Sequence, residues 1–279
     1  MENFKSSSRV RLLYLNQKIR NFGVRRVLYG FSRFFLEEIR LLLLIFSFFS
    51  RINFKLEFDF ESDFKRAVKY IPVFSFASGF FLYLLYRFIL LPGVSQPFAE
   101  IILFSVQYFL FNYFHFDGFL DTSDAFFLSS SRSKEEILKV MDDPRIGSFA
   151  LLSGVIYILV KINLYVALLP ADPLIFIFAF AQGRASILFS AFVFPRSAKN
   201  YGLGYTFVST GRRRLVLPLL IFLIPELYYF PVYSVFSLLI SFVFSSYFVK
   251  KLGGFTGDIF GAICEISELS FLFLALFIR

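Results

Sequence analysis

Residues 98–124 read FAEIILFSVQYFLFNYFHFDGFLDTSD, an apolar run that ends in a segment with three aspartates. The run 98–116 is long enough to cross the roughly 30 Å of hydrocarbon in a bilayer as a helix. Asp117, Asp121 and Asp124 follow at helical positions i, i+4 and i+7, so they lie within about 60° of one another. The stretch therefore predicts a membrane helix whose end carries carboxylates on one face.

Clustered carboxylates repel one another, which raises their pKa values unless a cation lies among them. Mg²⁺ prefers hard oxygen ligands and is commonly shared between protein carboxylates and substrate phosphates. A solvated loop would have no reason to align acids beside hydrocarbon. We therefore interpret Asp117, Asp121 and Asp124 as metal ligands, with Mg²⁺ as the cofactor.

The composition of the whole chain is that of an integral membrane protein. Of its 279 residues, 57% are hydrophobic and 45 are phenylalanine, whereas soluble domains are roughly 45–50% apolar. The net charge of +9 comes from basic residues that flank apolar runs. We attribute it to anionic lipid and to the positive-inside bias, and expect no nucleic acid partner. The single cysteine, Cys264, excludes an internal disulfide.

Apolar segments predict an all-α, polytopic bundle of six or seven transmembrane helices. The segments are 72–91, 98–116, 149–169, 173–194, 215–224, 232–249 and 266–278. The run 34–49 is short and carries charges, so it is predicted to be an interfacial or re-entrant helix. We divide the chain into a basic cytoplasmic extension, residues 1–33, and one membrane domain, residues 34–279.

The connections between these segments alternate in length and charge, which predicts their orientation. The long or basic connections, expected in the cytoplasm, are 51–69, 117–148, 195–214 and 250–258. The short connections, expected outside, are 92–97, 170–172 and the Pro225-Glu226 corner. The acid-bearing segments would then lie at the cytoplasmic face of the cell (inner) membrane.

A second acidic segment begins at residues 253–258, GGFTGD, and continues into a helix with Glu265 and Glu268. Helical geometry places Asp258, Glu265 and Glu268 within roughly 80° of one face, and we add Asp258 to the metal ligands. Glycines ahead of a helix let a phosphate approach backbone N–H groups. Glycines beside a membrane helix also serve close helix packing, and both interpretations stay open.

Two cations, Lys161 and Arg184, lie near the middle of their predicted spans, where a charge costs on the order of 3 kcal/mol. Their similar depth predicts that they face one polar cavity, where they would meet a diphosphate. The alternative is that Lys161 extends to the interface and Arg184 pairs with a carboxylate. His115 points about 160° away from Asp117 if the helix continues, so a role as general base requires a helix break at Gly118.

The segment after the aspartates predicts a short helix. Ser133 and Glu136 have the spacing of a capping box, and the helix is expected to run through about Met141 before Asp143-Pro144 ends it.

These residues resemble the motifs of adenosylcobinamide-GDP ribazoletransferase, the cobalamin (5′-phosphate) synthase family. Residues 115–124 resemble its HLDGLADTADG signature, and residues 137–149 resemble LEIMKDSRIGTFG. Residues 199–204 resemble REEGLG, and residues 253–268 resemble GGxTGDxLGAxxExxE. Residues 48–52 are similar to a degraded FLTRLP. Order and spacing hold from about residue 45 to the end of the sequence.

The resemblance implies the last assembly step of the cobalamin nucleotide loop. A ribose hydroxyl of α-ribazole, or of its 5′-phosphate, displaces GMP from adenosylcobinamide-GDP, and Mg²⁺ is the required metal. Such phosphoryl transfer depends chiefly on positioning and on charge neutralisation. Ala125 and Pro144 depart from the motifs, which have glycine and serine there, but no carboxylate is lost.

In this hypothesis Asp117, Asp121, Asp124 and Asp258 hold Mg²⁺ against the diphosphate. Asp143, or one of the first three aspartates, accepts the proton of the attacking hydroxyl. The cations expected to offset negative charge are Arg145, Lys161 and Arg184. The other expected substrate contacts are His115, Lys199, Gly257, Glu265 and Glu268.

Two other functions are weighed against this one. A CDP-alcohol phosphotransferase also aligns aspartates around Mg²⁺, but the Ala-Arg pair of its pattern is missing here. A cation transporter requires acids at mid-depth in more than one span, and here Glu100 lies near the outer end of its span. Whether copies of the chain form a homo-oligomer stays open.

Overall fold

The computed structural model describes residues 32–90, 93–128 and 133–278, and the predicted basic extension lies outside these ranges except for its last two residues. In chain order the helices are α1 (32–49), α2 (Phe60–Ala67), α3 (Ile71–Leu90), α4 (Gln96–Gln107), α5 (Tyr113–Leu128), α6 (Lys134–Met141), α7 (Ser148–Leu168), α8 (Pro173–Val193), α9 (Gly202–Ser209), α10 (Arg212–Tyr229), α11 (Pro231–Leu252) and α12 (Gly257–Phe277). A 3-10 turn, Val68–Tyr70, joins α2 to α3, and a π-helical turn, Tyr108–Asn112, joins α4 to α5.

Five helical segments are long and apolar enough to cross a membrane. They are Phe60–Leu90, Ser148–Leu168, Pro173–Val193, Pro231–Leu252 and Gly257–Phe277. The prediction of a polytopic helical membrane protein is confirmed. The other two predicted crossings, 98–116 and 215–224, lie in α4–α5 and in α10.

The predicted outer corner at Pro225-Glu226 is wrong. Helix α10 contains Pro225 and continues to Tyr229, and the chain turns at Phe230, directly before Pro231 opens α11. A proline removes one backbone donor, and a helix inside a bundle tolerates this loss when neighbouring helices pack around it. Glu226 is consequently buried within α10.

Helix α12 lies at the centre of the bundle, packed between α5, α8 and α11. It begins at Gly257, within the GGFTGD segment that was predicted to lead into it, and it includes the apolar run 266–278 up to Phe277. Glu265 and Glu268 lie inside the helix as buried residues.

Glycines set the distance between α12 and its neighbours. A Cβ atom at Gly118 of α5 would lie 2.7 Å from the Cα atom of Asp258, and one at Gly261 of α12 would lie 2.8 Å from the carbonyl oxygen of His115. Such separations leave no room for a side chain. Gly118 and Gly261 therefore serve close packing, and the two backbones meet directly, as small residues allow in membrane helices.

A short parallel bridge joins the connection before α9 to the connection before α12. The N–H of Phe255 donates to the carbonyl of Arg196 at 2.9 Å, and the N–H of Ala198 donates to the carbonyl of Phe255 at 2.9 Å. At Gly254 a Cβ atom would lie 2.5 Å from the carbonyl oxygen of Arg196, so only glycine fits there. The bridge holds the segment after α8 against the amino-terminal end of α12.

We expect Gly261→Ala to destabilise the protein by about 1–3 kcal/mol, because the added methyl group meets main-chain atoms of His115 and forces α5 away. The matched control is Gly154→Ala, where the new Cβ would lie 2.8 Å from Cδ2 of Leu120, the free end of a flexible side chain. Thermal unfolding in detergent measures both variants. If Gly261→Ala and Gly154→Ala had equal unfolding temperatures, the backbone contact between α5 and α12 would not be what sets the distance between these helices.

Candidate active site

The two acid-bearing segments meet at one site. Helix α5 is unbroken from Tyr113 to Leu128, so Asp117 and Asp121 share a face as predicted. Asp117 is exposed and Asp121 is partly buried. The contact at Gly118 places Asp258, in the first turn of α12, against this part of α5.

The pKa of Asp121, which lies outside the five candidate spans, is raised to about 7. Burial is the largest cause, and the negative charges of Asp117, Asp258, Asp124 and Asp142 add to it in that order. Acids that repel one another in this way favour a cation among them.

The acidic cluster offers oxygen donors for a cation but does not form a complete metal site within the described residues. Among the residues that the structure describes, no three histidine, cysteine, aspartate or glutamate side chains are arranged to hold a metal ion by themselves. Mg²⁺ commonly takes only one or two protein carboxylates and completes its shell with water and substrate phosphates. The oxygen donors of Asp117, Asp121 and Asp258 match that chemistry.

Asp124 is used differently from its two neighbours on α5. One of its carboxylate oxygens accepts a hydrogen bond from the N–H of Gly147 at 2.8 Å, and the other accepts from the N–H of Ala150 at 2.9 Å. The first N–H groups of a helix have no partner within it, so Asp124 supplies the cap of α7. Its carboxylate ties the end of α5 to the start of α7.

Lys161 and Arg184 lie in a buried ionic network with two glutamates of α12. The Lys161 Nζ atom is 3.3 Å from Oε2 of Glu265 and 3.0 Å from Oε1 of Glu268. The Arg184 Nη1 atom is 3.5 Å from Oε2 of Glu268. Arg184 therefore pairs with a carboxylate, as the alternative interpretation proposed, and Lys161 does so too instead of extending to the interface.

Polar side chains before α5 complete this network. Gln107 donates to Glu268 at 2.8 Å, and Asn112 donates to Glu265 at 2.8 Å. The hydroxyl of Tyr108 donates to Glu265 at 2.6 Å. Buried charges persist when they are paired and hydrogen-bonded in this way. The network joins α4, α7, α8 and α12, and its four charged side chains are at most 1% exposed.

His115 belongs to the edge of the same buried region. Its Nδ1 atom lies 3.4 Å from Nη2 of Arg184 and 3.6 Å from Sγ of Cys264. Because α5 does not break at Gly118, the condition for a general-base role of His115 is not met.

The loop between α6 and α7 carries a tight ion pair. The capping box of Ser133 and Glu136 is confirmed, and α6 ends at Met141. Arg145 then donates to Asp143 from Nε at 2.9 Å and from Nη2 at 2.6 Å. These bonds lower the pKa of Asp143 to about 2, which makes this carboxylate a weak base.

Asp142 is the site residue that the sequence analysis missed. Both of its carboxylate oxygens accept from Nζ of Lys199, at 2.7 and 2.8 Å. Lys199 lines a cavity of about 180 Å³ together with Thr256, Gly257 and Asp258 at the start of α12. Only the fold of the α6–α7 loop brings Asp142 to Lys199, so no local pattern marks it.

Comparison with known proteins identifies the family. The cobalamin-5-phosphate synthase family matches residues 41–276. The chain belongs to this family. Membership makes it a transferase of cobalamin biosynthesis and confirms the resemblance inferred from the motifs. No solved structure matches the chain.

Curated relatives in this family are named adenosylcobinamide-GDP ribazoletransferase. The relative from Fervidobacterium nodosum is 34% identical, over 84% of this chain and 95% of its own length. The relative from Thermosipho melanesiensis is 34% identical, over 81% of this chain and 94% of its own. That from Clostridium acetobutylicum is 32% identical, over 84% of this chain and 94% of its own.

We expect Asp124→Ala to lower the free energy of unfolding by about 1–2 kcal/mol, because the start of α7 loses its cap. Asp117→Ala is the control on the same helix. It is expected to leave the free energy of unfolding unchanged or higher, since it removes repulsion among the acids. Thermal unfolding in detergent without divalent ions measures both, and an equal loss in the two variants would refute the capping role.

Proposed function

We propose that the chain joins adenosylcobinamide-GDP to α-ribazole, or to α-ribazole 5′-phosphate, and releases GMP. A ribose hydroxyl oxygen of the acceptor forms a bond to the phosphorus nearer the cobinamide. The bond from that phosphorus to the bridging oxygen breaks, GMP leaves with that oxygen, and a base takes the hydroxyl proton. The names of the relatives support this reaction.

The observation that carries the proposal is the contact between Gly118 and Asp258. It unites residues 115–124 with residues 253–268, two of the segments that carry the resemblance to the family. Phosphoryl transfer requires little covalent chemistry from the protein, and positioning with charge neutralisation accounts for most of its catalysis. Acids from two distant segments at one place are what such a site needs.

Asp117, Asp121 and Asp258 would hold Mg²⁺ at this site. When bound, the ion supplies positive charge to the diphosphate. Asp124 was predicted as a ligand together with Asp117 and Asp121. We assign it instead the role of fixing α5 against α7, because both of its oxygens accept backbone hydrogen bonds.

Basic and backbone groups would receive the phosphates. The first backbone N–H groups of α12 attract anions, and Lys199 lines the same cavity. Asp142 holds Lys199 in place there. Because Arg145 makes Asp143 a weak base, an aspartate of the first cluster is the better acceptor for the hydroxyl proton.

The site would lie at the cytoplasmic face of the cell (inner) membrane. The connections that border it, 195–214 and 250–258, carry basic residues, which favour the cytoplasmic side.

Purified protein with adenosylcobinamide-GDP, α-ribazole and Mg²⁺ is expected to release GMP and form adenosylcobalamin, measured by chromatography. Omitting the acceptor should stop GMP release. Running the reaction with α-ribazole 5′-phosphate identifies the preferred acceptor. Release of CMP from a CDP-alcohol, with no GMP from adenosylcobinamide-GDP, would contradict the proposal and favour the other phosphotransferase class.

Asp117→Ala and Asp121→Ala are each expected to lower the transfer rate by about 100-fold or more. The Mg²⁺ that would neutralise the diphosphate loses a carboxylate ligand in each variant. Both variants should remain in the membrane fraction. Glu135→Ala, an exposed acid in the first turn of α6, serves as the control with full activity. Wild-type activity in the two aspartate variants, with an unchanged dependence on Mg²⁺ concentration, would defeat their assignment as ligands.

A further inference from the structure

The three cations that the sequence assigned to the diphosphate all have carboxylate partners in the structure. Lys161 and Arg184 are locked in the buried network, and Arg145 is paired with Asp143. Lys199, which would receive phosphate at the start of α12, lines a cavity with Asp258 and is held there by Asp142, so it does not supply a charge on the face of α5. A diphosphate bound at Asp117 would therefore need another positive charge on the exposed face of α5.

Arg51 stacks on two exposed rings of the turns that precede Asp117. Its guanidinium carbon is 4.2 Å from the ring centre of Tyr113 and 4.6 Å from that of Phe109. Tyr113 and Asp117 are residues i and i+4 of α5, so they are separated by about 6 Å along the helix axis and about 40° around it. The guanidinium therefore lies on the same side of the helix as Asp117, over the turns that precede it.

The charge of Arg51 has no carboxylate partner within residues 32–90, 93–128 and 133–278, although its side chain is stacked on two rings. Arg40, Arg66 and Arg145 each have such a partner at 3.0 Å or less. Aromatic rings orient a guanidinium plane without using its N–H groups. Those groups are therefore available to an anion.

The loop that carries Arg51 is held in place before any ligand binds. The backbone N–H of Arg51 donates to the carbonyl of Leu110 at 2.9 Å. Leu110 lies in the π-helical turn, where the usual α-helical hydrogen bonding is interrupted. The N–H of Ile52 donates to Oγ of Ser50, and the N–H of Phe54 donates to Oγ of Ser47, both at 3.1 Å. The position of the guanidinium is consequently set by the protein.

We propose that Arg51 binds the diphosphate of the donor substrate. The assignment rests on the proposed function and adds to it a binding residue from the segment between α1 and α2. A guanidinium presents a planar pair of donors that matches two phosphate oxygens. Stacking on Tyr113 and Phe109 fixes that plane on the side of α5 that carries Asp117, where it would meet a diphosphate that extends from the carboxylates toward the preceding turn.

The test compares Arg51→Gln with wild-type protein in the GMP-release reaction. The KM for adenosylcobinamide-GDP is expected to rise about tenfold or more, because one bidentate contact to the diphosphate is lost. The KM for the acceptor should stay within about twofold of wild type. Arg51→Lys should recover part of the loss, since it keeps the charge but not the planar fork. Arg87→Gln, an exposed arginine hydrogen-bonded to Tyr83 near the other end of the bundle, is the matched control and should leave both constants unchanged.

A second measurement does not depend on turnover. Inorganic pyrophosphate with Mg²⁺ should bind Arg51→Gln about tenfold more weakly than wild type or Arg87→Gln in titration calorimetry. If wild type releases no GMP, the proposed reaction fails, and the calorimetric comparison still decides the role of Arg51.

Three results would overturn the assignment. One is an Arg51→Gln variant with an unchanged KM for the donor and unchanged pyrophosphate binding. Another is an Arg51→Gln variant whose sole defect is a lower unfolding temperature, which would make Arg51 a structural residue. The third is a loss of activity that vesicles containing phosphatidylglycerol restore and phosphatidylcholine vesicles do not, which would make a lipid headgroup the ligand.

Discussion

The backbone contact between α5 and α12 is the constraint on which the site depends. Hydrocarbon gives membrane helices little hydrophobic reason to associate, so small residues and polar pairs have to hold them together. Gly118 and Gly261 remove the steric barrier between the two helices. The buried pairs of Lys161 and Arg184 with the glutamates of α12 oppose separation. Asp258 can then sit beside Asp117 and Asp121 although like charges repel.

Helix α12 contributes to two charged regions, one in which the charges are balanced and one in which negative charge is in excess. Deep in the bundle, two cations face two anions, because an unbalanced charge away from water is too costly. At the amino-terminal end of α12 the acids gather, and burial together with their mutual repulsion raises the pKa of Asp121. An excess of negative charge is tolerable there because water and ions reach it. It is also the reason for proposing that this end of the bundle binds a cation and, through the cation, a diphosphate.

Structural predictions that follow from the pattern within one helix were confirmed. Several predictions whose outcome depends on contacts with other parts of the chain were wrong. The alignment of Asp117 with Asp121 follows from helical geometry alone, and the capping box at Ser133 is equally local. The corner at Pro225 failed because surrounding helices stabilise a proline that would end an isolated helix. A charged residue in the middle of a membrane span occurs both in substrate sites and in structural ion pairs. The sequence position of Arg184 therefore did not decide between these two roles. Asp124 has the spacing of a ligand, yet its oxygens cap a helix that begins after the intervening loop.

The sequence by itself determined that this is a helical membrane protein of the cobalamin-5-phosphate synthase family, because hydrophobicity, helical period and motif spacing are properties of the chain. Only the tertiary structure decided which charged residues meet. It paired Lys161 and Arg184 with glutamates, used Asp124 to cap α7, and brought Asp258 to the part of α5 that carries Asp117. Charge interactions act over a few ångströms of space, and distances in space between remote segments are set by how the helices pack.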